Sequence, residues 1–223
     1  MVSRFRSLRW LLGALVPLSR VVAQAPAVTL DHESKHHVVF ANEWVRVLDV
    51  VVPSGDSTLY HVHSNDYVFV TFGDVALKAQ ALGAAQTDLP LANGEVRITM
   101  APITHRVLNP SRSPFHNLTI ELLKPSGMAL TPRAEGVTVL DNDRVRVGRI
   151  VLEPGESTTR HEHRGPGLDV GVSAGTVSVV DASGATTRVT YAPASYRWSA
   201  AGRTHTLTNV GRSRVEIVEI EWK

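Results

Sequence analysis

The sequence predicts an all-β protein made of two tandem units, each a sandwich or barrel of short strands, on three observations. The chain repeats itself at an offset of one hundred positions: GDSTLYHVH (55–63) returns as GESTTRHEH (155–163), NEWVRV (42–47) as NDRVRV (142–147), and THRVLNPSRS (104–113) as THTLTNVGRS (204–213). Within each copy, β-rich runs such as VRVLDVVVP, YVFVTFG, VRVGRIVLEPG and VEIVEIEW are punctuated by glycine, proline and Asx, and no long segment has a helical period. A breaker-rich stretch, KPSGMALTPRAEG (124–136), separates the copies and reads as a linker.

Taken in order, the first 25 residues have the form of a secretory signal peptide. Arg4, Arg6 and Arg9 make a basic head, WLLGALVPL an apolar run too short to span a bilayer, and Ala23, Gln24 and Ala25 a cleavage site ahead of Pro26. The expected location is therefore secreted or periplasmic, with no membrane association after cleavage following Ala25. Residues 26–125 and 126–223 are the expected domains, and residues 26–37 (PAVTLDHESKHH) an extended arm or edge strand. His32, His36 and His37 in that arm have no counterparts in the second copy and are read as surface residues.

Composition narrows the chemistry. Arg4, Arg6, Arg9 and Arg20 are four of the 23 Lys and Arg residues, so the mature chain has 19 basic against 21 acidic groups and no basic patch suited to nucleic acid. With no cysteine, neither disulfides nor thiolate ligands are available, and any metal site must be built from nitrogen and oxygen. The mature length suffices for two units of about 100 residues, each with its own core.

The order of glycines and histidines resembles the two motifs of the cupin superfamily. In the first copy these residues are Gly55, His61, His63 and Gly73, then His105 and Asn109; in the second they are Gly155, His161, His163 and Gly175, then Gly202, His205 and Asn209. The likeness covers nearly the whole mature chain and implies two tandem cupin-type jelly-roll β-barrels, a bicupin. Strand geometry agrees, because residues i and i+2 share a face about 6.6 Å apart. His61 and His63 look into one space, as do His161 and His163, and His105 or His205 completes a trio able to hold a divalent cation. The bland alternative is that each His-x-His pair faces solvent or is the relic of a lost site.

The family's first motif ordinarily supplies a glutamate ligand three or four residues after the second histidine and seven before the closing glycine. In the second copy that position is Leu168; in the first the counts disagree between Asp66 and Tyr67 or Val68, and Asp66 reads as a solvated turn residue. No glutamate ligand is expected in either half. Pro102 and Ala200 also depart from the second motif without removing a ligand.

Three neutral imidazoles leave coordination positions open, which with iron(II) suits dioxygen chemistry. The resemblance thus implies an exported non-haem iron(II) dioxygenase acting on a small enolate, diketone or phenolic substrate. Zinc, manganese or nickel are alternative ions; the alternative functions are a zinc or manganese isomerase or lyase, or a non-enzymatic small-molecule binder. A homodimer is compatible with such sheets. Around the histidines, alternation sends Tyr60, Arg160 and Glu162 outward, while Tyr67 and Asp169 flank the pairs. Asn109 and Asn209 read as turn residues, Arg46 and Arg146 as structural, and Trp44, Trp198 and Trp222 as packing residues.

Overall fold

A computed structural model describes residues 26–130 and 136–223. The signal peptide expected over residues 1–25 lies outside the described residues, as do residues 131–135 of the expected linker. The N-terminal half contains β1 (Val28–Thr29), β2 (His36–Ala41), β3 (Val45–Val52), β4 (His61–His63), β5 (Tyr67–Phe72), β6 (Val75–Ala81), β7 (Thr87–Leu91), β8 (Val96–Thr99), β9 (Ile103–Leu108) and β10 (Phe115–Leu122). The C-terminal half contains β11 (Val137–Asp141), β12 (Val145–Leu152), β13 (His161–His163), β14 (Gly167–Gly171), β15 (Gly175–Asp181), β16 (Thr186–Tyr191), β17 (Tyr196–Ser199), β18 (Arg203–Asn209) and β19 (Val215–Trp222). Among the described residues there is no α-helix.

Each half is a jelly roll of two facing sheets, and the offset of one hundred holds strand for strand. In the first half the sheets run β1-β4-β9-β6-β7 and β2-β3-β10-β5-β8; in the second, β13-β18-β15-β16 and β11-β12-β19-β14-β17. The strand β1 is the addition, pairing parallel with β4 so that Val28 lies opposite His61. Asn109 and Asn209 close equivalent turns. The side-chain amide of each donates to a strand carbonyl, of Val52 and Leu152, and to the carbonyls of Ser113 and Ser213.

Alternation divides the strands of β3, β5 and β10 between two cores. Leu48, Val50, Val52 and Phe115 fill the first jelly roll. The opposite faces, Val45, Val47, Val68, Val70, Leu118 and Ile120, pack against Val145, Val147, Leu168, Val170, Ile220 and Trp222 of the second half. The two halves therefore share one apolar core, in addition to a core inside each. Trp198 packs edge-on to Trp222, with ring centroids 5.3 Å apart, at this junction. The seam also carries polar clamps. Arg144 meets Asp66 at 3.0 Å and donates to the Leu122 carbonyl, and the Tyr196 hydroxyl donates to the Val39 carbonyl.

Several expectations change on this frame. Asp66 is a junction residue and not a solvated one, since it also accepts from the Ala101 backbone N–H. Leu168 points into the shared core, away from the histidines. The residue equivalent to Gly73 is Ser173, because Gly175 opens β15 just as Val75 opens β6. Tyr60 is buried, 8% exposed, beneath the Arg106 guanidinium.

Candidate metal centres

Each half brings its three motif histidines to one end of its jelly roll. The short strand β4 carries His61 and His63 inward and sets His61 opposite His105 of β9; β13 and β18 set His161 opposite His205 in the same register. Rings bound through nitrogen to one ion, with metal to nitrogen distances near 2.1 Å, have centroids about 4.5–5.5 Å apart when adjacent. The observed separations are 5.0, 4.7 and 5.2 Å in the first half and 5.0, 4.6 and 5.0 Å in the second.

Nitrogens of His61, His63, His161 and His205 are also placed for an ion. His61 Nδ1 lies 2.9 Å from the Leu59 carbonyl and His161 Nδ1 lies 3.0 Å from the Thr159 carbonyl. A carbonyl only accepts, so Nδ1 carries the proton in both rings and Nε2 is bare. That bare Nε2 stands 3.1 Å from His63 Nε2 in one half and 3.0 Å from His205 Nε2 in the other. About 3.0 Å is the spacing of two neighbouring ligands on an octahedral ion. His163, only 2% exposed, has no hydrogen-bond partner for either ring nitrogen, and His63 has none for Nδ1. A buried imidazole left so is costly, and a divalent cation relieves the cost; the donor sets fit one.

Burial, reinforced by neighbouring imidazoles, pushes the histidines down: His61 to about 4, His63 to about 2 and His105 to about 3. His205 falls to about 3, also chiefly by burial. These rings are neutral at physiological pH, which is the form that binds metal.

Two residues join these groups unforeseen. In the second half Glu219 puts a carboxylate oxygen 3.8 Å from His163 Nε2 and 3.9 Å from His205 Nε2, within the span of two ligands on one ion. No glutamate ligand was expected, because the motif position was Leu168; Glu219 comes instead from the last strand. Its signal was present in VEIVEIEW, where Ile217, Glu219 and Glu221 share a face. Val218, Ile220 and Trp222 occupy the other face, and both faces of the strand are buried. In the first half, His36 is not a surface residue. Its ring centroid lies 4.6 Å from that of His61, and ligand atoms of His36, His61 and His63 lie within 4.8 Å of one another. His32 and His37 remain exposed.

Around the trios, the halves diverge. His63 stacks on Tyr67, centroids 4.1 Å apart, and the Tyr67 hydroxyl stands 3.5 Å from His105 Nε2. Burial pushes that phenol up to about 12, so it keeps its proton. Behind His63, Glu121 lies 4.0 Å from Nδ1 and is held by an ion pair with Arg46. The first cavity, about 330 Å³, is walled by Val50, Phe69, Leu89, Ile98 and Phe115 and ends on the histidines. In the second half Gly167 replaces Tyr67, and a Cβ there would meet Arg203 at 2.6 Å. The space belongs to Arg203, which stands 3.6 Å from Asp169; burial pushes the Asp169 carboxyl up against the pull of Arg203. The second cavity, about 410 Å³, is lined by Asp169, Asp181, Arg197, Arg203 and Thr204 beside His205. Arg160 and Glu162 are exposed.

No family model and no curated protein matches the sequence. Solved structures do match the fold. AerE from Microcystis aeruginosa aligns over 86% of this chain and 98% of its own, with TM-score 0.59 and 10% identity. A Bacillus subtilis oxalate decarboxylase variant aligns over 81% and 69%, with TM-score 0.58 and 10% identity. A cupin 2 conserved barrel domain protein from Leptotrichia buccalis aligns over 84% and 88%, with TM-score 0.53 and 9% identity. The fold is the one these structures share, described for one of them as a cupin barrel: two jelly rolls in tandem, each here with a buried group of side chains suited to a divalent metal ion.

Proposed function

We propose that this bicupin is an exported, metal-dependent oxidoreductase of the dioxygenase type, with its reaction centre in the N-terminal half and a small enolate, diketone or phenolic molecule as substrate. The observation that carries this reading is the apolar cavity of about 330 Å³ that ends on an all-imidazole donor set. Iron(II) held there by His61, His63 and His105 would supply adjacent open positions for dioxygen and an ionised substrate oxygen. Both oxygen atoms of dioxygen enter the cleaved product, so no external reductant is needed. The chain's own residues do the rest. Phe69, Ile98 and Phe115 exclude water and hold the apolar body of the substrate, and the protonated Tyr67 donates a hydrogen bond at the mouth of the donor set.

The test is oxygen consumption by iron(II)-loaded protein against 1,3-diketones, flavonols and catechols. Uptake abolished by His61→Ala and retained by His161→Ala supports the reading; no uptake with any of the three classes overturns it.

One feature favours a second reading for the C-terminal half. Glu219 adds a carboxylate to three imidazoles, and Asp169 offers a buried acid or base on the cavity wall. That set suits manganese or zinc and isomerase or lyase chemistry without oxygen; the oxalate decarboxylase neighbour is described as having Mn(II) centres. Turnover with manganese that is insensitive to oxygen and lost in His161→Ala would support it.

A further inference from the structure

We infer that the N-terminal ion has a fourth imidazole ligand, His36, supplied by the arm ahead of the first jelly roll and oriented by Glu33, so that metal binding fastens the arm. The inference rests on the reading of that half as a metal site.

A bulge places the ring. In β2, His36 lies opposite Val50 and Val38 opposite Leu48, but Phe40 lies opposite Val47, so the register slips by one residue at Val39. Without the slip, period two would put His36 on the face of Phe40, which packs in the junction between the halves. With it, His36 shares the inward face of Val50 and stands at the histidine cluster.

Glu33 then fixes which nitrogen points inward. Its carboxylate accepts from His36 Nδ1 at 2.7 Å, from the Lys35 backbone N–H at 2.9 Å and from the Leu59 backbone N–H at 3.2 Å. The two side chains are nearly closed to solvent, 5% exposed for His36 and 0% for Glu33. A carboxylate that accepts a hydrogen bond from Nδ1–H favours the tautomer with a bare Nε2, the arrangement that orients metal-binding histidines. Leu59 ties the two rings together, since its N–H serves Glu33 while its carbonyl holds His61 Nδ1. The His36 ring centroid lies 4.6 Å from that of His61 and 5.9 Å from that of His63. Imidazoles on one ion span about 4.5 Å when adjacent to about 6.4 Å when opposite.

The second half marks the contrast. Thr138 lies opposite Gly148 as Val38 lies opposite Leu48, so Gly136 stands where His36 does. A Cβ on Gly136 would come within 2.3 Å of the Arg149 carbonyl oxygen, and no side chain fits. There Glu219 occupies the position of Thr119, so each half adds a different residue to its trio.

The test uses the full chain in a His161→Ala, His163→Ala background, so that only the N-terminal site is read. Cobalt(II) affinity is measured by competition with a chromophoric chelator, and coordinating nitrogens are counted from the hyperfine pattern of the copper(II) form. His36→Gln should weaken cobalt binding by more than about 100-fold and lower the nitrogen count by one; Glu33→Gln should weaken it about 10–100-fold with the count unchanged. Metal should slow amide exchange over residues 28–37 at least about tenfold in the parent and leave it unchanged in His36→Gln, a difference a purely packing role does not produce. If His36→Gln fails to fold, Glu33→Gln carries the test. Binding through three nitrogens that ignores both substitutions overturns the inference alone. No N-terminal binding in the parent overturns it together with the metal-site reading.

Discussion

The two halves are the same scaffold with different interiors. Their strands pair in the same order at an offset of one hundred residues, and the histidines meet across the same registers. Yet the positions that face inward have changed character: Tyr67 becomes Gly167, Phe69 becomes Asp169, Ile103 becomes Arg203 and Thr119 becomes Glu219. One cavity is apolar with extra imidazole and phenol, the other charged with extra carboxylate. The residues held in common include Asn109 and Asn209, whose partners are backbone carbonyls, and the two sets of three histidines. The residues that line the two cavities differ, so one scaffold presents two interiors of different polarity.

Metal content separates the two halves most directly. Elemental analysis should give two ions per chain, and one in either His63→Ala or His163→Ala; a parent with a single ion, lost in only one of those variants, would make the other half scaffold. The next largest effect concerns the shared core. Trp222→Ala should lower unfolding free energy by about 3–5 kcal/mol in denaturant titration, with a single transition for both halves. Two separated transitions in the parent would show that the halves fold independently. Glu219→Gln should weaken manganese binding in the C-terminal half by about 10–100-fold, or about 1.4–2.7 kcal/mol, and leave the N-terminal site unchanged. The smallest effect belongs to the polar clamp. Arg144→Ala removes a partly exposed pair with Asp66 and should cost about 1 kcal/mol in the same titration.

Much of this is legible in the amino-acid sequence. The repeat, the short strands and the placing of His61 with His63 and His161 with His163 depend on local alternation, which a sequence displays directly. His36 was misread because a bulge at Val39 reverses the alternation that follows it, and no glycine or proline in HHVVFA announces the slip. Asp66 looked like a turn residue because its partner, Arg144, is 78 residues away.

The duplicated all-β fold, the lack of thiolate ligands and the two sets of three histidines are therefore legible in the chain alone, since each follows from composition or from spacing along a strand. What spacing along the chain does not display is that the halves share a core, that His36 and Glu219 stand beside the histidines and that one cavity is apolar and the other charged. The physical reason is that a strand has two faces, and which of them meets solvent, a second sheet or a metal is decided by pairing register and by what packs across it.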